Sequence, residues 1–138
     1  MSRESQYNGV PALICEQMLE YNITDYKFFC FDGEPLFVEI YADREGDHKK
    51  AFYDMNWQKV GFTTANDVCD YQVERPHEFD KMREIAGQLS QNISSVRVDL
   101  YIHDGKVYFG ELTFHPAGGY TPITPRHWEY KLGELIKL

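Results

Sequence analysis

No stretch of this chain is apolar over the roughly 20 residues that a helix needs to cross a bilayer. The start, Met1-Ser2-Arg3-Glu4-Ser5, has no apolar run of the kind a secretory signal carries. Cysteine is scarce. Cys15, Cys30 and Cys69 are odd in number and widely spaced, with no CxxC pair. That supports neither a disulfide framework nor a zinc site. Buried, reduced thiols in a cytoplasmic protein are the plain expectation. Positive charge is also short, with 14 Lys and Arg against 22 Asp and Glu, for a net charge of -8. This argues against broad binding to a nucleic-acid backbone but leaves room for a local anion site. There is no internal repeat and no low-complexity segment.

What the chain does have is apolar and aromatic content. Of its 138 residues 43% are hydrophobic and 15% aromatic, including ten Tyr and nine Phe. That suffices for the packed core of one domain and points to strands.

The most informative stretch runs from Val96 to Phe114. Two runs rich in β-branched and aromatic residues flank His103-Asp104-Gly105, a hairpin signal. Each run holds one acid, Asp99 and Glu111, and an acid in an apolar strand needs a partner. If Asp104-Gly105 is a two-residue turn, His103 pairs with Lys106, Asp99 pairs with Gly110, and Glu111 points to the other face. If the loop is His103-Asp104-Gly105 with a bulge at Gly105, Ile102 pairs with Lys106 and Asp99 faces Phe109, with Glu111 diagonal to it. Arg97, Asp99, Glu111 and Thr113 then share a polar face, opposite Val96, Val98, Leu100, Leu112 and Phe114. That segregation favours the bulged turn. Two acids side by side suit Mg²⁺. The alternative is a pairing of Arg97 with Asp99 or Glu111 and no metal.

Residues 1–10 read as a flexible lead and 11–138 as the domain. Pro11 opens a short apolar run, Ala12 to Cys15, read as a strand ending in a polar hinge, Glu16 to Glu20. Tyr26–Phe31 and Leu36–Tyr41 are strands joined by a turn at Asp32-Gly33-Glu34-Pro35. Lys27 is either a lysine snorkelling at a sheet edge or an ammonium aimed at an anionic ligand. Asp43–Lys50 reads as a charged loop, Ala51–Trp57 as a strand that loses its pattern near Asn56, and Thr63–Tyr71 as irregular. Phe79, Met82, Ile85, Ala86 and Leu89 recur at helical steps, predicting a helix from about Pro76 to Gln91. Gly87 within it implies close packing. The glycines in His115–Pro122 suit either a plain turn or a close approach to an anion. Trp128–Leu138 is expected to form a closing helix.

Several of these stretches together carry a family likeness. They are Asp25 to Gly33; Asp43-Arg44; Phe52-Tyr53-Asp54 with Asn56-Trp57; Arg97 to Tyr101; Tyr108 to Phe114; and Lys131-Leu132-Gly133. Over residues 12 to 138 the chain resembles the TupA-like ATP-grasp family, linked to teichuronopeptide and capsular polysaccharide biosynthesis and often labelled glycosyltransferase. The resemblance implies an α+β fold, the C-terminal subdomain of an ATP-grasp enzyme, with a mainly antiparallel sheet and helices packed on one face. It implies ATP and Mg²⁺ as cofactors and a small carboxylate or glycan precursor as acceptor. Glu16, Gln17, Met18 and Leu19 match the hinge that meets adenine and ribose. Asp99 and Glu111 match the metal-holding acids, with Thr113 where many relatives carry a third ligand, Asn. Lys27, Arg44 and Arg97 become candidates for charge stabilisation at the transferring phosphoryl group. Gly118 and Gly119 would sit near the acceptor.

The likeness implies a preceding subdomain that residues 1–10 are too few to supply. A chain acting alone is therefore expected to bind Mg-ATP weakly without turnover, and to work with an N-terminal half in trans or to self-associate. An ATP-dependent carboxylate–amine ligase is the leading reading. A transferase using a metal–nucleotide-sugar and a non-catalytic binding module are the alternatives. Asp99→Asn and Glu111→Gln are expected to abolish Mg²⁺-dependent nucleotide binding with the fold intact.

Overall fold

The computed structural model describes residues 13, 15, 17–19, 23–44, 47–64, 69 and 71–137, with the side chains of 42–44, 47 and 48 excepted. The fold is α+β. Five strands form one antiparallel sheet: β1 (Asp25–Phe31), β2 (Glu34–Arg44), β3 (Asp47–Asp54), β4 (Val96–His103) and β5 (Lys106–Thr113), in the order β3-β2-β1-β4-β5. Two helices complete it, α1 (Phe79–Leu89) and α2 (His127–Gly133).

Alternation dictates which face each side chain takes. On β1, Tyr26, Phe28 and Cys30 are buried beside Val38 and Ile40 of β2, Ala51 and Tyr53 of β3, and Val96, Val98 and Leu100 of β4. Helix α1 closes this face with Phe79, Met82 and Ala86. Phe28 stacks on Phe79 with ring centroids 5.8 Å apart, and Trp57 meets the same ring edge-on at 4.8 Å. The expected close packing at Gly87 is present: a Cβ there would lie 3.3 Å from the Gly33 carbonyl and 3.6 Å from Pro35. Ser90 ends the helix by donating its hydroxyl to the Ala86 carbonyl. Cys30 and Cys69 are buried but Cys15 is exposed, contrary to the expectation of three buried thiols. Burial pushes the Cys30 thiol up to about 11.

Helix α1 lies on one face as expected, whereas α2 brings Trp128 to the other. There Trp128 meets Phe37 and Phe62, and Phe62 packs on Phe52. After β5 at one edge of the sheet, the chain reaches this cluster near the opposite edge, where Thr124 and Thr63 exchange backbone hydrogen bonds. The segment between β5 and Thr124 is thus a strap across one end of the open face.

Three expectations are corrected. The charged loop over Asp43–Lys50 is strand: β2 runs to Arg44, and β3 begins at Asp47, with Tyr41 opposite Lys50. Strand pairing overrode the charge pattern. Leu13, Cys15 and Gln17–Leu19 have no regular structure, so a strand there is not seen among the described residues, and Leu13 is exposed. The closing helix is short, starting at His127 and ending at Gly133. Residues 1–10 and Glu16 lie outside the described residues.

Candidate functional site

The central hairpin contains a register device that neither turn alternative anticipated. His103 pairs with Lys106, so the turn is the two-residue Asp104-Gly105, with both φ angles positive. That is the primed geometry that fits strand twist. The bulge occurs further along, between Asp99 and Leu100 on one strand and Phe109 and Glu111 on the other. Gly110 is the extra residue, and it moves Glu111 directly opposite Asp99. The expected pairing of Asp99 with Phe109 is therefore wrong, although the expected shared face for the two acids holds. Only glycine fits there without displacement. A Cβ at Gly110 would lie 2.5 Å from the Tyr101 ring and 3.1 Å from the Asp99 carbonyl oxygen. Gly110→Ala is expected to cost about 1–3 kcal/mol through overpacking. A urea titration would detect it, and an unchanged midpoint would show that the hairpin accommodates the methyl group.

The open face of the sheet is built in rows. In strand order from β3 to β5, one row reads Asp54, Phe37, Phe29, Arg97 and Thr113, and the next Phe52, Glu39, Lys27, Asp99 and Glu111. Beyond it stand Tyr41 paired with Lys50, and Asp25 with Tyr101 and Tyr108. Charge fills the middle. Four acids (Asp25, Glu39, Asp99 and Glu111) face three bases (Lys27, Lys50 and Arg97).

Asp99 is the hub, with 1% of its surface exposed. Arg97 Nε donates to its Oδ1 at 2.7 Å, and Arg97 Nη2 and Lys27 Nζ donate to its Oδ2 at 2.7 and 2.8 Å. Arg97 Nη2 also lies 3.0 Å from Glu111 Oε1 and 3.1 Å from the Thr113 hydroxyl oxygen. That hydroxyl donates to the same Glu111 oxygen at 2.7 Å. Glu111 is the accessible member, its side chain 60% exposed. Lys27 also pairs with Asp25, and the Lys50 ammonium lies 2.8 Å from Glu39 and over the Tyr41 ring.

The electrostatics follow this packing. Burial works against the Lys27 charge, but the hydrogen bonds to Asp25 and Asp99 outweigh it and hold its pKa above the ordinary lysine value. The same balance, with Asp99 the main partner, raises Arg97. Burial raises the Asp25 carboxyl, only partly offset by Lys27. Lys27 is thus committed to two acids, an arrangement that neither of its sequence readings foresaw.

Beside Glu111 opens a cavity of about 500 Å³, lined by Gln17, Leu19, Ile23, Tyr101, Tyr108, Phe109 and Gly110 together with Glu111. Two of the hinge candidates, Gln17 and Leu19, therefore line the same cavity as the acid-bearing hairpin, while Met18 is exposed and not among the lining residues. Gly118 and Gly119 sit in an exposed 3-10 turn, Pro116–Gly119, on the strap, both with positive φ. A Cβ at Gly119 would touch nothing within 4 Å, so no packing in this structure demands its glycine. Arg44 is the last residue of β2, and its side chain lies outside the described set.

Sequence reasoning missed Glu39, Lys50 and the Tyr101–Tyr108 wall. The signal for Glu39 was present: it is an acid inside an apolar strand, as Asp99 is.

The site's donor chemistry fits a hard cation. Two carboxylate oxygens, from Asp99 and Glu111, converge on a single cationic nitrogen, and hard divalent ions favour such ligands. Asp25 Oδ1, one row away, is buried without a hydrogen-bond partner in this structure. Asp99 and Glu111, with Thr113 beside them, would hold such an ion once Arg97 yields its place. Among the described residues no group of three or more His, Cys, Asp or Glu is placed to hold a metal ion. The rest of the ion's coordination would be filled by water or by oxygens of a ligand.

An antiparallel sheet backed by a helix, with paired acids and a cavity on its open face, defines an α+β domain with a candidate ligand-binding face. The family model described as TupA-like ATPgrasp matches residues 1–137, and the chain belongs to that family. No curated protein and no solved structure matches it. Among the described residues no helix is long and apolar enough to cross a membrane.

Proposed function

We propose that this chain binds Mg-ATP on the open face of its sheet and takes part in ATP-dependent carboxylate–amine ligation. The observation that carries the reading is the register of Asp99 opposite Glu111, with their oxygens turned to one cationic nitrogen. Magnesium, when bound, neutralises phosphate charge and polarises the transferring phosphoryl group. Asp99 and Glu111 hold it, and Thr113 orients the Glu111 carboxylate through its hydroxyl. The neighbouring cavity takes the nucleotide, with Gln17 and Leu19 on one side and Tyr101 and Tyr108 on the other. Lys27 holds Asp99 in place by donating to its Oδ2, and so acts on the reaction through that carboxylate. Arg97 stabilises negative charge on the phosphoryl oxygens. Gly118 and Gly119, in the exposed turn on the strap, leave backbone room for an acceptor. The acceptor is a small carboxylate or glycan precursor, in synthesis of a cell-surface polysaccharide or teichuronopeptide. That assignment rests on the family resemblance.

The test is product analysis. ADP and phosphate should form only when a carboxylate acceptor is present. UDP release from a nucleotide-sugar would instead establish a transferase. No turnover with either donor, alone or with an added N-terminal ATP-grasp half, would establish a binding module.

A further inference from the structure

Arg97 Nη2 has three oxygens around it: Asp99 Oδ2 at 2.7 Å, Glu111 Oε1 at 3.0 Å and Thr113 Oγ1 at 3.1 Å. A guanidinium nitrogen of this kind carries two protons in a fixed plane. It cannot donate well to three acceptors at once. The oxygens converge on a point that a spherical cation serves better than a planar fork. Arg97 cannot discard its charge to leave, because a guanidinium stays protonated.

We propose that Arg97 is a displaceable counter-ion: it clamps Asp99 to Glu111 without a divalent cation, yields when one binds, and then offers its guanidinium to an oxyanion on the same face. This rests on the reading of Asp99 and Glu111 as a cation site and says how that site is regulated.

The neighbouring charges set the direction. The Arg97 side chain is only 15% exposed, so a detached guanidinium stays beside the sheet and requires an acceptor. Glu39 and Asp25 already have Lys50 and Lys27 as counter-ions, although one oxygen of each accepts no hydrogen bond, so an incoming oxyanion competes with them for the guanidinium. Phosphate-like oxyanions are the ligands that suit a planar fork. Lys27 cannot take this role while Asp25 and Asp99 hold it. The cation and the oxyanion therefore assist each other's binding, and linkage makes the effect reciprocal. The arrangement also keeps the two acids from repelling each other before the ligand arrives.

Two measurements on the full chain test this. The first follows the Arg97 side-chain Nε–H resonance in wild type during titration with Mg²⁺. It should be protected from exchange without metal, then shift and exchange faster as Mg²⁺ binds. The second is calorimetry with inorganic phosphate, with and without saturating Mg²⁺, in wild type and Arg97→Gln at identical Mg²⁺ concentrations. Wild type should gain roughly five-fold or more in phosphate affinity, within the usual range of such coupling. Arg97→Gln should bind Mg²⁺ alone more tightly and show no gain for phosphate. If Mg²⁺ binds, and Glu111→Gln abolishes that binding, but the Arg97 resonance does not move, the exchange is refuted and the cation site stands. If Mg²⁺ binds neither form, the cation site itself is refuted, and the exchange with it.

Discussion

Asp99→Asn is expected to lower the unfolding free energy by about 3 kcal/mol, the lower end of the cost of breaking a buried ion pair. The carboxylate is 1% exposed and anchors both Lys27 and Arg97, which are 12% and 15% exposed. Removing its charge leaves two partly buried cations with only the outer acids to neutralise them. An amide also presents protons where Arg97 and Lys27 donate, so a favourable contact becomes a clash of donors. Glu111→Gln should cost less than about 1 kcal/mol, because that side chain is 60% exposed and screened by water. Thermal or chemical denaturation of the two variants without metal gives the comparison, and equal losses would mean that the burial difference carries no energetic weight. From the sequence, both substitutions are expected to leave the fold intact. The structure alters that for Asp99 alone, because its partners are now visible. Stability therefore no longer separates a structural acid from a metal ligand at this position, and Glu111→Gln becomes the cleaner probe.

Phe79→Ala is expected to cost about 3–5 kcal/mol, as for other large-to-small changes at buried aromatic positions. Phe79 is wholly buried and joins three elements. Its ring stacks on Phe28 of β1, takes Trp57 edge-on, and carries the Arg75 guanidinium 4.8 Å above it. Helix α1 is short and has no side-chain N-cap, so packing rather than intrinsic propensity holds it in place. Loss of the ring should therefore loosen α1 from the sheet. Hydrogen exchange along Phe79–Leu89 would accelerate more than in the strands. A uniform acceleration across the domain would show instead that α1 and the sheet open together.

Much of this fold is legible in the sequence, because alternation and helical spacing survive wherever one face is buried. Both hairpins, the α1 core residues and the close approach at Gly87 follow from those patterns. The β2–β3 ends do not, since strands with charged side chains look like loop until a partner strand supplies their backbone hydrogen bonds. At the central hairpin two physical signals competed. Polarity argued for a bulge at the turn, whereas Asp104-Gly105 argued for a tight turn. Both were half right: the turn is tight, and the bulge sits at Gly110. An isolated glycine inside a strand is itself a bulge signal, so Gly110 was readable. The candidate site divides in the same way. Asp99, Glu111, Arg97 and Thr113 come together as spacing allowed, while Asp25, Glu39 and Lys50 reach them only through the β1–β4 pairing. That pairing joins strands distant in sequence and leaves no local trace.

The central claim is that Asp99 and Glu111 form one cation-dependent nucleotide site. Titration calorimetry with a non-hydrolysable ATP analogue, on wild type and on Glu111→Gln confirmed as folded, tests it most directly. The account predicts that wild type binds the analogue with Mg²⁺ and loses that binding when the metal is chelated, while Glu111→Gln does not bind under either condition. Equal affinity in the two proteins, or binding in wild type indifferent to Mg²⁺, would contradict it.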